Sequence, residues 1–147
     1  MLTMNRTRGT REYMTGLFIT IDSDTGSCRL LNRGHCMPIL VGVGGQTVEH
    51  IRSGGLPLGY NRRGSSQTVE FCLGPDETLC LYTDGIAEAC GQNGDALGYE
   101  GFRLMLQAGW HPQPEQFLET LLQSHAKWAH QQDDDQTVVL IRRSAEC

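Results

Sequence analysis

Two groups of aspartates stand beside strand-like runs of this 147-residue sequence. Asp84 directly follows the run TLCLYT, and Asp133, Asp134 and Asp135 precede the run TVVLIRR with only Gln136 between. Clustered carboxylates repel one another unless protons or cations relieve the repulsion, and oxygen-only clusters favour hard ions such as Mg²⁺ or Mn²⁺. Such ions polarise phosphoryl oxygens and activate water at neutral pH. The pattern therefore indicates a candidate site for phosphoester chemistry.

A simpler interpretation of each group stays open at this point. Asp-Gly is an ordinary turn, and three consecutive aspartates are typical of a solvated acidic loop after a helix. The two interpretations differ in what they require of the strands. If the two runs are antiparallel neighbours, the end of one lies about 5 Å from the start of the other. We therefore predict that they pair, with Asp84 and Asp134 on one rim and Gly85 permitting a sharp turn there.

The strands that must hold these residues follow from runs of β-branched and aromatic residues between turn formers. Gly44-Gly45 predicts a tight hairpin turn, because no Gly-Lys-Ser/Thr follows to make a phosphate loop. We expect the first six runs to form a β-meander and the last to be a final strand after the helices. The runs are GLFITI, CRLLN, MPILVGV, TVEHIR, QTVEFCL, TLCLYT and TVVLIRR.

Helical spacing occurs only between the last two of these strands. It predicts one helix around Phe102, Met105 and Leu106 and a longer one from Pro114 to about Gln131, both lying on a sheet. The apolar face predicted for the longer helix consists of Phe117, Leu118, Leu121, Leu122, His125 and Trp128. His125 is interpreted as packed or solvated, because no second histidine stands at metal-binding spacing. The prediction is one α+β domain spanning residues 1–147.

Composition excludes several classes of protein. The net charge is −5, from 12 basic and 17 acidic residues, and no long basic run is present, so nucleic acid is not an expected partner. The sequence contains neither a membrane-spanning apolar stretch nor a signal peptide at its start, so we expect a cytoplasmic protein without membrane contact. The six cysteines lack a Cys-x-x-Cys pair and are predicted to be reduced, buried thiols.

The sequence resembles the SpoIIE-like branch of the metal-dependent PPM protein phosphatases. The likeness extends from about Tyr13 onward and rests on five segments in order: TGLFITIDSDTGSCRLLNRGH, GGLPLGY, ETLCLYTDGIAEA, ALGYEGF and DDQTVVLIRR. The resemblance implies an antiparallel β-sandwich flanked by helices. It also implies a binuclear Mn²⁺ or Mg²⁺ site that hydrolyses phosphoserine or phosphothreonine through metal-bound water.

The resemblance also implies which residues bind the metals. The family's Asp-Gly matches Asp84 and Gly85, and its Asp-Asp-x-Thr matches Asp134, Asp135 and Thr137. Asp84 and Asp134 are therefore the expected metal ligands and catalytic residues, and Asp135 is the next candidate ligand.

Three further residues are expected to support these ligands without binding the metal themselves. They are Gly85, Thr137 and Glu88. For Glu88 the family motif implies a helix-stabilising or ligand-orienting role. Asp133 is expected to be an exposed neighbour of the site.

One departure from the family concerns its first motif, an Asp-rich segment that supplies the aspartate bridging both metals. This motif is absent, so the chain is expected to be the C-terminal part of a catalytic domain, incomplete at its N-terminus and weakly active or inactive alone. Missing strands are expected to leave edges that favour dimerisation.

Two functions remain open on the sequence. The first is a bacterial signalling phosphatase, of the kind found as output domains of response regulators, acting on a phosphorylated anti-sigma-factor antagonist or similar regulator. The alternative is a non-catalytic phosphatase-like module that binds a sigma factor or its regulators. Retention of both Asp84 and Asp134 favours the enzyme, and absence of the bridging ligand favours the module.

Overall fold

A computed structural model describes residues 13–60, 67–130 and 134–145. The chain forms two compact units, one of Met1–Met37 with Arg52–Cys72 and one of Pro38–Ile51 with Leu73–Cys147. The elements in chain order are β1 (Gly16–Ile21), β2 (Ser27–Arg33), β3 (Ile39–Val41), β4 (Val48–His50), β5 (Thr68–Cys72), β6 (Thr78–Tyr82), α1 (Asp84–Ala87), α2 (Gly98–Gly109), α3 (Pro114–Trp128) and β7 (Val138–Arg142).

The first unit contains a three-stranded antiparallel sheet in the order β1-β2-β5. In the central strand, buried residues alternate with more exposed ones, and Cys28, Leu30 and Asn32 are fully buried on one face. Leu30 is paired with Ile19 of β1 and Val69 of β5. Successive side chains of a strand point to opposite faces, so this period of two places Cys28, Leu30 and Asn32 on one side of the sheet.

The second unit contains a four-stranded antiparallel sheet in the order β4-β3-β6-β7. β3 and β4 are joined by a short 3₁₀ turn in which Gly44 and Gly45 have φ values of 71° and 66°. Such positive φ values are strained for residues with a Cβ, so the glycines permit the hairpin that the sequence predicts. β6 lies inside the sheet, and its Leu79 and Cys80 are fully buried.

The helices of the second unit pack through their apolar faces. α2 contacts β3 and β4, while α3 contacts α2 and β7. Phe102 of α2 lies with its ring centroid 4.6 Å from that of Tyr82 in β6. The fully buried positions of both helices follow helical spacing, at Phe102 and Leu106 and at Phe117 and Leu121. Two antiparallel sheets with these helices confirm the α+β class.

Two predictions about packing are wrong. The strands do not form a continuous meander, because β5 pairs with β2 and β6 pairs with β3 and β7 in a different sheet. Leu122 and Trp128 of α3 are 46% and 40% exposed, so they are not part of the buried face. The face that packs consists of positions four apart, which turns Leu122 about 100° away from Leu121. Gln131 lies outside the described residues.

The cysteines are free thiols where the structure describes them, but they are not all buried. Cys28, Cys36 and Cys80 are buried, Cys90 is half-buried and Cys72 is exposed. Cys72 lies on an edge strand of its sheet, whereas Cys80 lies on an inner strand, where burial raises the pKa of its thiol. Among the described helices, none has the length and apolar character needed to cross a membrane.

Candidate functional site

The pairing of β6 with β7 brings the two aspartate groups together. The strands are antiparallel, with Tyr82 opposite Val138. The pairing continues one residue further, since the Thr83 N–H donates to the Thr137 carbonyl at 3.1 Å. Asp84 leaves this end of the sheet at the same point where the chain from Asp134 arrives. The prediction that the two runs are antiparallel neighbours is confirmed.

Thr83 joins the two segments through its side chain as well. Its hydroxyl donates to the Asp135 carbonyl at 3.1 Å and accepts the Thr137 N–H at 2.9 Å. One residue therefore fixes the path of the acidic segment immediately before β7. Sequence reasoning did not single out Thr83, although its place directly before Asp84 at the strand end is a readable signal.

Gly85 permits the close approach of the two segments. A Cβ at this position would lie 2.6 Å from the Asp135 carbonyl oxygen and 3.3 Å from the Asp134 Cβ. The first distance is shorter than any ordinary contact with a backbone oxygen, so every other residue type would push the acidic segment away. The supporting role expected for Gly85 is thus a steric one.

This contact predicts the effect of Gly85→Ala. We expect it to lower the free energy of unfolding by about 1–3 kcal/mol, because the added methyl group meets backbone atoms that cannot rotate away. Gly54→Ala is the matched control, since a Cβ there has no neighbour within 4 Å. Urea denaturation of both variants measures the difference. Equal free energies of unfolding for the two variants would show that the Asp84 turn and the acidic segment can move apart without energetic cost.

The aspartates themselves are accessible and locally oriented. Asp84, Asp134 and Asp135 are all exposed. The Asp84 carboxylate accepts the Gly85 N–H at 3.2 Å, and the Asp134 carboxylate accepts the Asp135 N–H at 2.7 Å. In each case a backbone donor holds one carboxylate oxygen, which restricts the side chain. The carboxylates therefore lie on the surface at the end of the sheet, where a ligand reaches them from solvent.

The other predicted site residues have different surroundings. Thr137 takes part through its backbone, which closes the strand pair opposite Thr83. Glu88 is exposed and lies at the C-cap of α1, an end where the helix dipole does not favour a carboxylate. This position does not favour a helix-stabilising role for its charge, and the ligand-orienting role stays a prediction. Asp133 lies outside the described residues.

Two residues that sequence reasoning left out of the site contact the Asp84 turn. The Gln136 side-chain amide donates to the Gly85 carbonyl at 3.2 Å. His125 of α3 is only 4% exposed, and its Nε2 lies 3.0 Å from the Ile86 carbonyl oxygen. Of the two interpretations given for His125, packed or solvated, the structure shows the packed one. Its spacing of four from Leu121 was the available signal.

Asp84, Asp134 and Asp135 provide the type of ligand atom that suits a hard divalent ion. Carboxylate oxygens are the ligands that Mg²⁺ and Mn²⁺ prefer, and Gly85 keeps the space between the two segments narrow. Within the described ranges, no group of three or more His, Cys, Asp or Glu side chains is placed to hold a metal ion. Asp84, Asp134 and Asp135 therefore do not by themselves form such a group.

The family follows from comparison with known proteins. The family described as Stage II sporulation protein E (SpoIIE) matches residues 2–144 of the chain. The chain belongs to the SpoIIE family. No curated protein sequence matches it.

Solved structures resembling this SpoIIE-family chain include three bacterial phosphatase-related domains. The SiaA-PP2C domain of Pseudomonas aeruginosa has a TM-score of 0.74 at 23% identity, covering 87% of this chain and 51% of that one. The RsbU and RsbW domains of Rv1364c from Mycobacterium tuberculosis have 0.77 at 20%, with 96% and 39% covered. The SpoIIE phosphatase domain of Bacillus subtilis (Mn presoaked) has 0.71 at 18%, with 90% and 58% covered.

These structures establish the fold of the SpoIIE-family chain. It is the fold of PPM phosphatase domains, as the sequence resemblance implies. The chain spans between about two fifths and three fifths of the length of the three matched chains.

Proposed function

We propose that the chain is part of the catalytic domain of a metal-dependent phosphoserine and phosphothreonine protein phosphatase in the cytoplasm. The observation that carries this proposal is the β6–β7 pair, which brings Asp84 and the Asp134 segment to one end of a sheet. Membership of the SpoIIE family supports it. Like charges repel at this position, and a bound cation would relieve that repulsion.

In this proposal Asp84 and Asp134 hold a Mn²⁺ or Mg²⁺ ion, with Asp135 as the next candidate ligand. When bound, such ions polarise a phosphoryl oxygen and activate water for attack at phosphorus. The chain's own residues provide the geometry: Thr83 fixes the acidic segment, and Gly85 lets it lie against the Asp84 turn. A binuclear site needs a further ligand, which we assign to the portion of the fold that this chain does not span.

The exposure of the site supports a protein substrate. Asp84, Asp134 and Asp135 lie on the surface, so a phosphoryl group on another protein can approach them without entering a deep cavity. We infer from the family resemblance that this protein is a phosphorylated anti-sigma-factor antagonist or a similar bacterial regulator.

One observation favours a second candidate function. The lack of a complete three-residue ligand group within the described ranges is what a non-catalytic binding module would also have. Such a module would bind a sigma factor or its regulators through the same fold. The two candidates differ in one measurable property, which is hydrolysis that depends on Mn²⁺.

The test compares the 147-residue chain with a version extended upstream to the length of the matched phosphatase domains. We expect the extended protein to release phosphate from a phosphoserine protein only with added Mn²⁺ or Mg²⁺, and the short chain to be much slower, because a single ion would be poorly positioned. Phosphate release with and without metal is the measurement. An inactive extended protein would favour the binding module, and equal rates would contradict the missing-ligand assignment.

A further inference from the structure

The helix that begins with Asp84 is too short to hold its own position. α1 has four residues, and its i to i+4 backbone bond runs from the Glu88 N–H to the Asp84 carbonyl at 2.8 Å. A single helical turn is not stable in water, because fixing its dihedral angles costs more than one hydrogen bond returns. The last carbonyls of any helix also lack partners within it. The position of Asp84 therefore depends on contacts from outside α1.

Two side chains supply those contacts by forming hydrogen bonds with backbone carbonyls of α1. The Gln136 amide donates to the Gly85 carbonyl at 3.2 Å, and His125 Nε2 lies 3.0 Å from the Ile86 carbonyl. Gln136 belongs to the segment that leads into β7, whereas His125 belongs to α3. The two carbonyls immediately after Asp84 are thus tied to two separate elements of the second unit.

Burial makes the His125 contact costly to lose. His125 and Ile86 are 4% and 1% exposed, so water cannot readily replace the hydrogen bond. A carbonyl accepts only, so His125 must carry its proton on Nε2 to make the bond. Removing the donor would leave a buried carbonyl unpaired, and the turn would relax toward solvent to recover a partner. Gln136, which is half-buried, restrains the turn from the side of the acidic segment.

We propose that Gln136 and His125 are positioning residues that clamp α1 and thereby fix the Asp84 carboxylate for metal binding. The inference rests on the proposed function, since it assigns the clamp a purpose at that same site. Neither residue touches the ion or the substrate. Each acts through a carbonyl next to Asp84, so loss of either donor weakens metal binding before it affects the rest of the fold.

The first test measures local order by amide hydrogen exchange in the 147-residue chain. Gln136→Met and His125→Leu keep the approximate size of each side chain and remove its donor. We expect faster exchange at the Ile86 and Glu88 amides in both variants. His125→Gln, which restores a donor, should recover protection. Gln123→Met is the control, because the Gln123 amide donates to an exposed Glu119 carboxylate on α3, away from the Asp84 turn.

Exchange that rises across the whole chain, or that does not change at α1, would overturn the clamp. This readout needs no metal, so it decides the inference even if the proposed function fails.

The second test measures Mn²⁺ affinity by electron paramagnetic resonance in the upstream-extended protein, with the same substitutions and with Asp84→Asn. We expect Gln136→Met and His125→Leu to weaken binding by about 10-fold or more, a typical effect of losing a residue that orients a ligand. His125→Gln and Gln123→Met should bind as the extended protein without substitutions does. Loss of binding in Asp84→Asn alone would contradict the clamp and leave the proposed function intact. Binding that persists in Asp84→Asn, or is absent in the extended protein without substitutions, would contradict the metal site itself.

Discussion

Replacing Asp84 by asparagine is expected to reduce Mn²⁺-dependent phosphatase activity of the upstream-extended protein by about 100-fold or more. Asparagine keeps the shape of the side chain but is neutral and offers one acceptor oxygen in place of two. Residues that only orient a ligand contribute about 10–100-fold to metal affinity, so removing a ligand should cost at least the upper part of that range. Steady-state phosphate release over a series of Mn²⁺ concentrations measures the effect.

The control for Asp84→Asn is Glu49→Gln. Glu49 is an exposed carboxylate on β4, and β3 and β6 separate that strand from β7 in the sheet. The substitution removes the same charge away from the site and should leave activity unchanged. For Asp84→Asn we expect a free energy of unfolding within about 0.5 kcal/mol of the unchanged protein, because the residue is exposed. Full activity in Asp84→Asn would show that Asp84 is not a ligand.

The largest effect on stability is expected from Leu121→Ala. Leu121 is 1% exposed in the face of α3, so its truncation removes apolar contacts and leaves a cavity. The free energy of unfolding should fall by about 2–5 kcal/mol. Chemical denaturation followed by circular dichroism gives the value.

The neighbouring residue provides a matched control for Leu121→Ala. Leu122→Ala makes the same chemical change on the same helix, but Leu122 is 46% exposed. We expect Leu122→Ala to change the free energy of unfolding by about 0.5 kcal/mol or less, as is usual for surface positions. Similar losses in both variants would mean that Leu122 is covered in solution, for example by a second copy of the chain.

The sequence by itself determined the local elements and the site segments. β1 spans the run GLFITI, and β6 and β7 lie within their predicted runs, because period-two alternation and β-branched residues act over a few neighbours. The helical face of Phe117 and Leu121 follows in the same way from spacing alone. The placement of Asp84 after one strand and Asp134 before another was also visible, and with it the expectation that they meet.

Tertiary structure decided which strands pair and which residues of a face are covered. β5 and β6 are consecutive, yet they lie in different sheets, because a strand's partner depends on packing between distant segments and not on its own pattern. Leu121 and Leu122 have identical side chains, but only Leu121 lies on the face of α3 that other segments cover.

The contacts that hold the Asp84 turn were beyond the sequence for a related physical reason. Gln136 and His125 reach adjacent carbonyls from positions 51 and 39 residues away along the chain. A backbone carbonyl accepts hydrogen bonds from many donor types, so no residue pattern predicts these contacts. Carboxylates beside strand ends can be recognised from the local sequence, whereas the donors that fix the Asp84 turn become neighbours only when the chain folds and brings Gln136 and His125 beside α1.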